Sequence, residues 1–398
     1  MKVAIVGAGT AGLLSAMDCC SALPKFAQVT LIHSLSIGAL GVGESSLVNF
    51  PQSLSESIDY NHMIDRKELK SSTKYGVQFK NWRGNTFVPF LGGAHGIHFD
   101  SSNLSDFVLP RLHKKYENFH ELKGVVESVV SDGARVNIRV DEYDHKFDYV
   151  IDCRGYPENY EDYSQSSYVY LNSAIVVPSK TKANWEYTYH IAHKNGWMFG
   201  IPLGDRSGWG YLYNSDITER KEALKDLEQT LSDQKNTDGH FVDYDLDSIK
   251  EFSFNNYSAK RIVNNDGNIF LNGNRALFFE PLQATSLGCY GFISQRIIDY
   301  IINDITLVDI KRTYNKVIEE CLLFINLHYR YGSDFDTPFW RMAKEKSNEL
   351  LNQQDMDTYD WRYLIDTLQL RDSTLSSHGE KGSVTRGHDV VETQDQLS

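Results

Sequence analysis

Lys2-Val3-Ala4-Ile5-Val6-Gly7-Ala8-Gly9-Thr10-Ala11-Gly12-Leu13 decides the fold. The run ending at Val6 is compact and β-branched, as in a buried strand, and Leu13, Ala16 and Met17 follow the glycines at helical spacing. A second apolar run, Val29-Thr30-Leu31-Ile32, completes a β-α-β unit. Parallel strands joined by such a crossover need helices to cover the sheet, so the spacing predicts an α/β protein that opens with a Rossmann-like sheet. Gly7, Gly9 and Gly12 form G-x-G-x-x-G between strand and helix. Their missing side chains permit the tight turn, close approach of a pyrophosphate and helix–strand packing, with Thr10 and Ala11 at the helix start beside the anion. The ribose-binding acid expected about 20 residues further on is replaced by His33, which reads either as an alternative ribose partner or as a surface histidine.

Outward from this unit, residues 125–130, 135–140 and 147–152 read as strands, and the last is expected to return to the nucleotide sheet. Residues 168–213 are strand-rich and aromatic, predicting a second sheet layered over the first, with a crevice between. Beyond Leu271 the apolar spacing becomes helical, over 287–302, 307–327, 338–351 and 355–370. Residues 371–398 have no aromatic side chain and predict a disordered tail. The expected division is a composite body over 1–345 followed by a short helical region, 346–370, and the tail. Within the body, the nucleotide module takes about 1–50, 120–155 and 265–303, and a substrate-side sheet about 73–100 and 165–260.

Of the 398 residues, 41% are hydrophobic and 23% charged, which excludes a fibrous, disordered or membrane-spanning chain. A net charge of −13 disfavours phosphate-backbone contacts, so no nucleic-acid partner is expected. Five cysteines without a C-x-x-C pair suit a reducing compartment. With no signal-peptide pattern at the start and no membrane-length apolar run, a cytoplasmic location and no membrane partner are expected. His95, His98 and His328 lack metal-ligand spacing, and no metal site is expected.

Four segments carry a resemblance. Gly41-Val42-Gly43-Glu44-Ser45-Ser46 follows the second strand, and Thr73-Lys74-Tyr75-Gly76-Val77-Gln78-Phe79-Lys80-Asn81-Trp82 places a lysine before an apolar run ending F-x-N-W. Phe279-Glu280-Pro281-Leu282-Gln283-Ala284-Thr285-Ser286 and then His328-Tyr329 with Asp336-Thr337-Pro338-Phe339-Trp340 come later in the chain. In this order they resemble the G-V-G-E, catalytic-lysine, E-P-L-E-S-T-G and H-Y…D-T-P-F-W segments of the flavin-dependent tryptophan halogenases, over about residues 1–345. The resemblance implies a flavoprotein of the two-dinucleotide-binding-domain type with a helical C-terminal region, and FAD rather than NAD. Its FAD contacts would come from Gly7, Gly9, Thr10, Ala11, Gly12, His33, Gly43 and Glu44. It further implies that reduced FAD from a separate flavin reductase, with O2, converts halide to hypohalous acid, which Lys74 relays to an aromatic small molecule.

Thr285 and Ser286 fall at the family's halide-binding Thr-Gly pair, with Ser286 in place of the glycine; the pair also suits a helix N-cap. Lys74 suits a relay because burial lowers an amine's pKa and Tyr75, Val77 and Phe79 could bury it, although a lone lysine in an alternating strand usually faces solvent. Gln283 stands where the family has its second catalytic residue, a glutamate, and cannot hold a charge. Bromide or iodide, more easily oxidised than chloride, is therefore the expected halide. Trp197, Phe199 and Ile201-Pro202 stand for the family's W-x-W-x-I-P, proposed there to screen substrate from flavin; ordinary aromatic core is the other reading, and Pro281 would line the same tunnel. Only 15 residues separate Trp82 from His98, where tryptophan halogenases carry a much longer insertion, so a wider pocket for a simple indole or phenol is expected. A flavin-dependent aromatic monooxygenase and a noncatalytic flavin-binding homologue are the alternatives.

Overall fold

The computed structural model describes residues 1–34, 44–181, 183–238 and 248–353. The chain divides into two compact units, Met1–Met356 and Asp357–Ser398, and the second lies wholly outside the described residues, as do the tail and the whole of the helix expected over 355–370.

The opening strand Lys2–Val6 sits at the centre of a five-stranded parallel sheet in the order Ile269–Leu271, Tyr149–Asp152, Lys2–Val6, Gln28–His33, Phe119–Lys123. Alternation along it is two-sided. Val3 and Ile5 pack with Leu13, Met17 and Ile297 under the helices Thr10–Ala22 and Thr285–Ile301, whereas Ala4 and Val6 pack with Val136, Ile138 and Phe147. The second face is thus covered by a three-stranded antiparallel sheet, Val126–Ser131, Val136–Val140 and Tyr143–Phe147, rather than by helices. The sequence predicts its first two strands; the third hides behind Asp141 and Glu142, both at positive φ without a glycine.

The second sheet has seven strands in the order Lys250–Ser253, Ser173–Ser179, Ser207–Tyr213, Gly196–Pro202, Thr188–His193, Gly76–Lys80, Thr86–Pro89. Its outer face carries Trp185, Tyr189, Trp209 and Tyr211 under the helix Arg220–Asp238, which occupies part of the span expected as sheet. Its inner face, with Ala174, Ala192, Trp197 and Leu212, joins the main core together with the long helices Leu307–Tyr331 and Pro338–Gln353. The last helix runs through residue 345, where the sequence placed the end of the body. No helix among the described residues is long and apolar enough to cross a membrane.

Candidate active site

At the glycine loop, Gly7 adopts φ +105°, and a Cβ there would lie 2.7 Å from the Cys153 carbonyl oxygen. A Cβ on Gly12 would lie 1.8 Å from the Gly7 carbonyl, whereas one on Gly9 would meet nothing within 4 Å. Two glycines are therefore required by packing, and the third faces open space. The helix that starts at Thr10 has no side-chain cap, so its first-turn amides have no acceptor within the helix. Thr10 Oγ1 donates to Glu44 Oε1 at 2.7 Å, and burial raises the Glu44 carboxyl above its ordinary value despite that bond. His33 Nε2 lies 3.0 Å from Glu121 Oε1 on the neighbouring strand. Burial pulls Glu121 upward, but His33, His113 and Lys123 outweigh it and hold its pKa at about 2.

The segment after Glu44 crosses to Lys74. Lys74 ends the short strand Ser72–Lys74, and its neighbour Tyr75 breaks away, its amide donating to the Glu186 carbonyl at 2.7 Å, before Gly76–Lys80 begins in the seven-stranded sheet. The break interrupts the alternation that would put this lysine in water: Thr73 and Lys74 are both buried, Lys74 to 1% exposure. Tyr75, by contrast, is 45% exposed and supplies no burial. Nζ donates to Ser45 Oγ at 2.9 Å and to the Ser46 carbonyl at 3.1 Å, with the Phe90 ring centre 5.3 Å away. Desolvation lowers its pKa to about 7. The two hydrogen bonds use both N–H groups of a neutral amine and leave its lone pair unengaged. His98 and His190 are buried as well, and burial first, then the Lys74 charge, holds both well below the ordinary imidazole value.

Glu280 is fully buried; its Oε1 accepts from Tyr329 Oη at 2.7 Å and Trp197 Nε1 at 3.3 Å. Burial outweighs these bonds and raises its pKa to about 7. Pro281 follows, half-buried, and then Gln283 and Ala284 both adopt left-handed backbone, φ 60° and 59°, before the helix Thr285–Ile301. Non-glycine residues held there cost on the order of 1–3 kcal/mol each, and such strain gathers at functional sites. Ala284 is the N-cap and no side chain caps the helix, which corrects the expectation that Thr285-Ser286 caps a helix from Leu287. Gln283 Nε2 and Thr285 Oγ1 are buried without a partner, as are His190 Nδ1, His328 Nε2 and Trp82 Nε1. Trp197 lies 4.9 Å from the His190 ring centre and 6.5 Å from that of Phe199, so Trp197 links Glu280 to the strand Thr188–His193 that pairs with Gly76–Lys80.

The raised Glu280 pKa has a measurable sign. With pKa about 7 folded against 4.5 unfolded, the folded state binds more protons between those values, so this group's favourable contribution is complete below pH 4.5 and is lost as pH rises through 7. Glu280→Gln is expected to match the parent near pH 4.5 and to exceed it above pH 7 by on the order of 3 kcal/mol, read from urea midpoints. Equal midpoints at pH 8 would show the carboxyl is not held protonated.

The tryptophan halogenase family model matches residues 2–116 and 89–366. The chain belongs to the tryptophan halogenase family. Tryptophan 7-halogenase RebH of Lentzea aerocolonigenes is 24% identical over 452 residues, covering 90% of this chain and 81% of that protein. Tryptophan 6-halogenase ThaL of Streptomyces albogriseolus is 22% identical, covering 86% and 78%. The fold matches a flavin-dependent halogenase from Xanthomonas campestris with a TM-score of 0.73 at 20% identity, over 99% of this chain and 86% of that one.

This tryptophan halogenase family member is a flavin-dependent halogenase, and the family implies reduced FAD. The glycine loop fits that group, because Gly9 leaves open the approach to uncapped helix amides that a pyrophosphate needs. Gly43 lies outside the described residues. The aromatic ends of two quoted motifs meet as packing: Trp82 touches His328, Tyr329 and Trp340 at ring-centre distances of 5.2–6.1 Å, and Trp340 Nε1 donates to the His193 carbonyl at 2.8 Å. Sequence reasoning missed Ser45, Ser46, Thr188, His98 and His190 around Lys74, and the bond from Glu280 to Trp197. Ser45, Ser46 and Glu280 stood within quoted motifs; the others carry no local signal. Among the described residues no group of three His, Cys, Asp or Glu side chains gathers to hold a metal.

Proposed function

We propose that this enzyme oxidises halide to hypohalous acid and passes electrophilic halogen through Lys74 to an electron-rich aromatic such as an indole or phenol, with bromide or iodide preferred to chloride. Bound reduced FAD, supplied by a separate flavin reductase, furnishes with O2 the oxidising power. The observation that carries the reading is the Lys74 amine: buried, pKa about 7, with two donors spent and a lone pair left over. A substantial share of the amine is then neutral and nucleophilic at neutral pH.

Gly7, Gly9, Thr10, Ala11 and Gly12 hold the pyrophosphate, and Glu44 orders the loop through Thr10. His33, braced by Glu121, is the ribose partner in this reading. The amides of Thr285 and Ser286 at the uncapped helix start suit a halide, being oriented donors with no charge of their own. Trp197 and Phe199 keep the aromatic substrate away from the flavin, and Glu280 fixes Trp197. Gln283 holds no charge and removes proton transfer from its place, which penalises chloride most. The short span of 15 residues between Trp82 and His98 supports a wider pocket that favours small aromatics over free tryptophan.

Purified protein with FAD, a flavin reductase, NADH, O2 and catalase, offered chloride, bromide or iodide and a panel of indoles and phenols, is expected to give halogenated product by mass spectrometry, least with chloride. Hydroxylated product indifferent to halide would establish a monooxygenase instead. Gln283→Glu is expected to raise chlorination by about tenfold or more relative to bromination, since a placed acid–base group contributes roughly 10²–10⁴. An unchanged halide ratio would contradict the assignment of halide preference to this position.

A further inference from the structure

Beyond Ser45 the hydrogen bonds of Lys74 continue. Ser45 Oγ lies 3.0 Å from Thr188 Oγ1, Thr188 Oγ1 lies 2.8 Å from His98 Nε2, His98 Nδ1 lies 3.3 Å from Ser72 Oγ, and Ser72 Oγ donates to the Pro202 carbonyl at 2.6 Å. The last bond fixes the direction of all the others. A carbonyl only accepts and a serine has one proton to give, so Ser72 receives from His98 Nδ1–H. His98 is neutral, which leaves Nε2 to accept from the Thr188 hydroxyl. Thr188 has then given its proton and accepts from Ser45, and Ser45 accepts from Lys74. Every donor in the chain points from the amine toward Pro202.

We propose that Ser45, Thr188, His98 and Ser72 form a one-way relay that takes the surplus proton from the Lys74 ammonium to the protein surface, restoring the nucleophilic amine. The proposal rests on the reading of Lys74 as the halogen carrier. Thr188 and His98 are 3% and 0% exposed, so no bulk water replaces them, whereas Ser72 is half-buried and reaches the surface. In the step, one Nζ–H bond breaks and its electron pair stays on nitrogen. Ser45 takes that proton and yields its own to Thr188, Thr188 yields its own to His98 Nε2, the Nδ1 proton passes to Ser72, and Ser72 releases its own proton to surface water as its hydroxyl turns from the Pro202 carbonyl. Charge moves by one proton and nothing is oxidised. Among the described residues His190 also lies in the Lys74 field; burial holds it neutral, and no hydrogen bond joins it to Nζ. A low proton affinity at His98 suits a relay, because the proton is passed on rather than kept. These four are positioning residues that act through Lys74.

Thr188→Val keeps the side-chain shape and removes the hydroxyl. It is expected to lower kcat for bromination about 10- to 100-fold with KM for the aromatic unchanged, and to raise the solvent deuterium isotope effect on kcat to about twofold or more as proton transfer becomes limiting. Thr188→Ser, which restores the hydroxyl, is expected to recover both, and FAD affinity is expected to be equal in all three proteins. Parent kcat and isotope effect in Thr188→Val would overturn the relay. So would an equal loss in Thr188→Val and Thr188→Ser with no change in isotope effect, which marks a packing role. Bromination that persists in Lys74→Ala is a different result: it removes the carrier reading itself, and the relay with it.

Discussion

Gly12→Ala is expected to abolish both FAD binding and the native fold around the first strand. The added methyl would lie 1.8 Å from the Gly7 carbonyl oxygen and 2.9 Å from its carbon, so backbone, not a side chain, has to give way. Gly7 is tied to the neighbouring strand, its amide donating to the Ile32 carbonyl at 2.8 Å, and its φ of +105° is open to glycine alone at a place where a Cβ would lie 2.7 Å from the Cys153 carbonyl oxygen. Overpacking a core with one methyl commonly costs about 1–3 kcal/mol, and a contact this short with fixed backbone belongs above that range. Gly9→Ala provides the contrast. Nothing lies within 4 Å of its Cβ and its φ is −73°, so the protein is expected to melt like the parent while losing the approach a pyrophosphate requires. Thermal midpoints and titration of FAD fluorescence separate the two: Gly12→Ala loses both, Gly9→Ala only binding. An alanine at position 12 that melts and binds like the parent would contradict the loop geometry.

Lys74→Met is expected to abolish halogenation while changing the pH dependence of stability. Methionine approximates the lysine stem without the amine. In the parent the folded pKa is about 7 against 10.5 unfolded. Below pH 7 both states carry the charge and the folded state bears the full penalty of burying it. Between 7 and 10.5 the unfolded state binds the extra proton, so parent stability rises with pH across that window. Relative to the parent, Lys74→Met therefore loses ground from pH 7 toward 10.5 by on the order of 3–5 kcal/mol, measured as the change in the difference of urea midpoints. The absolute difference also contains the Ser45 and Ser46 partners left unpaired, about 1–3 kcal/mol for each buried group. A pH-independent difference would show that the amine stays charged in the folded protein.

The nucleotide end was legible because its signals are local: a strand, three glycines and a helix within the first 22 residues. Lys74 was legible from its motif, but its burial was not, since that depends on the break at Tyr75 and on Ser45 and Ser46 reaching it from 29 and 28 residues away. Thr188 lies further still, 143 residues from Ser45 and 90 from His98, and nothing in its neighbourhood marks it. The helix start at Thr285 was misread for a similar reason. Thr and Ser suit an N-cap by type, yet Gln283 and Ala284 adopt a left-handed pair that neither residue's preference announces. The second layer on the parallel sheet was read as helical because crossover units usually are, whereas Val136, Ile138 and Phe147 fill that face from an antiparallel sheet.

Passage of halogen through the Lys74 amine, as proposed, requires that halogenation fail when the amine is removed. The most direct measurement compares the parent and Lys74→Met at matched FAD occupancy, with reductase, NADH, O2, catalase and bromide, and quantifies brominated indole by mass spectrometry alongside NADH consumption. Continued NADH oxidation with brominated product reduced to the enzyme-free background is the predicted result. Bromination by Lys74→Met at the parent rate would contradict the account.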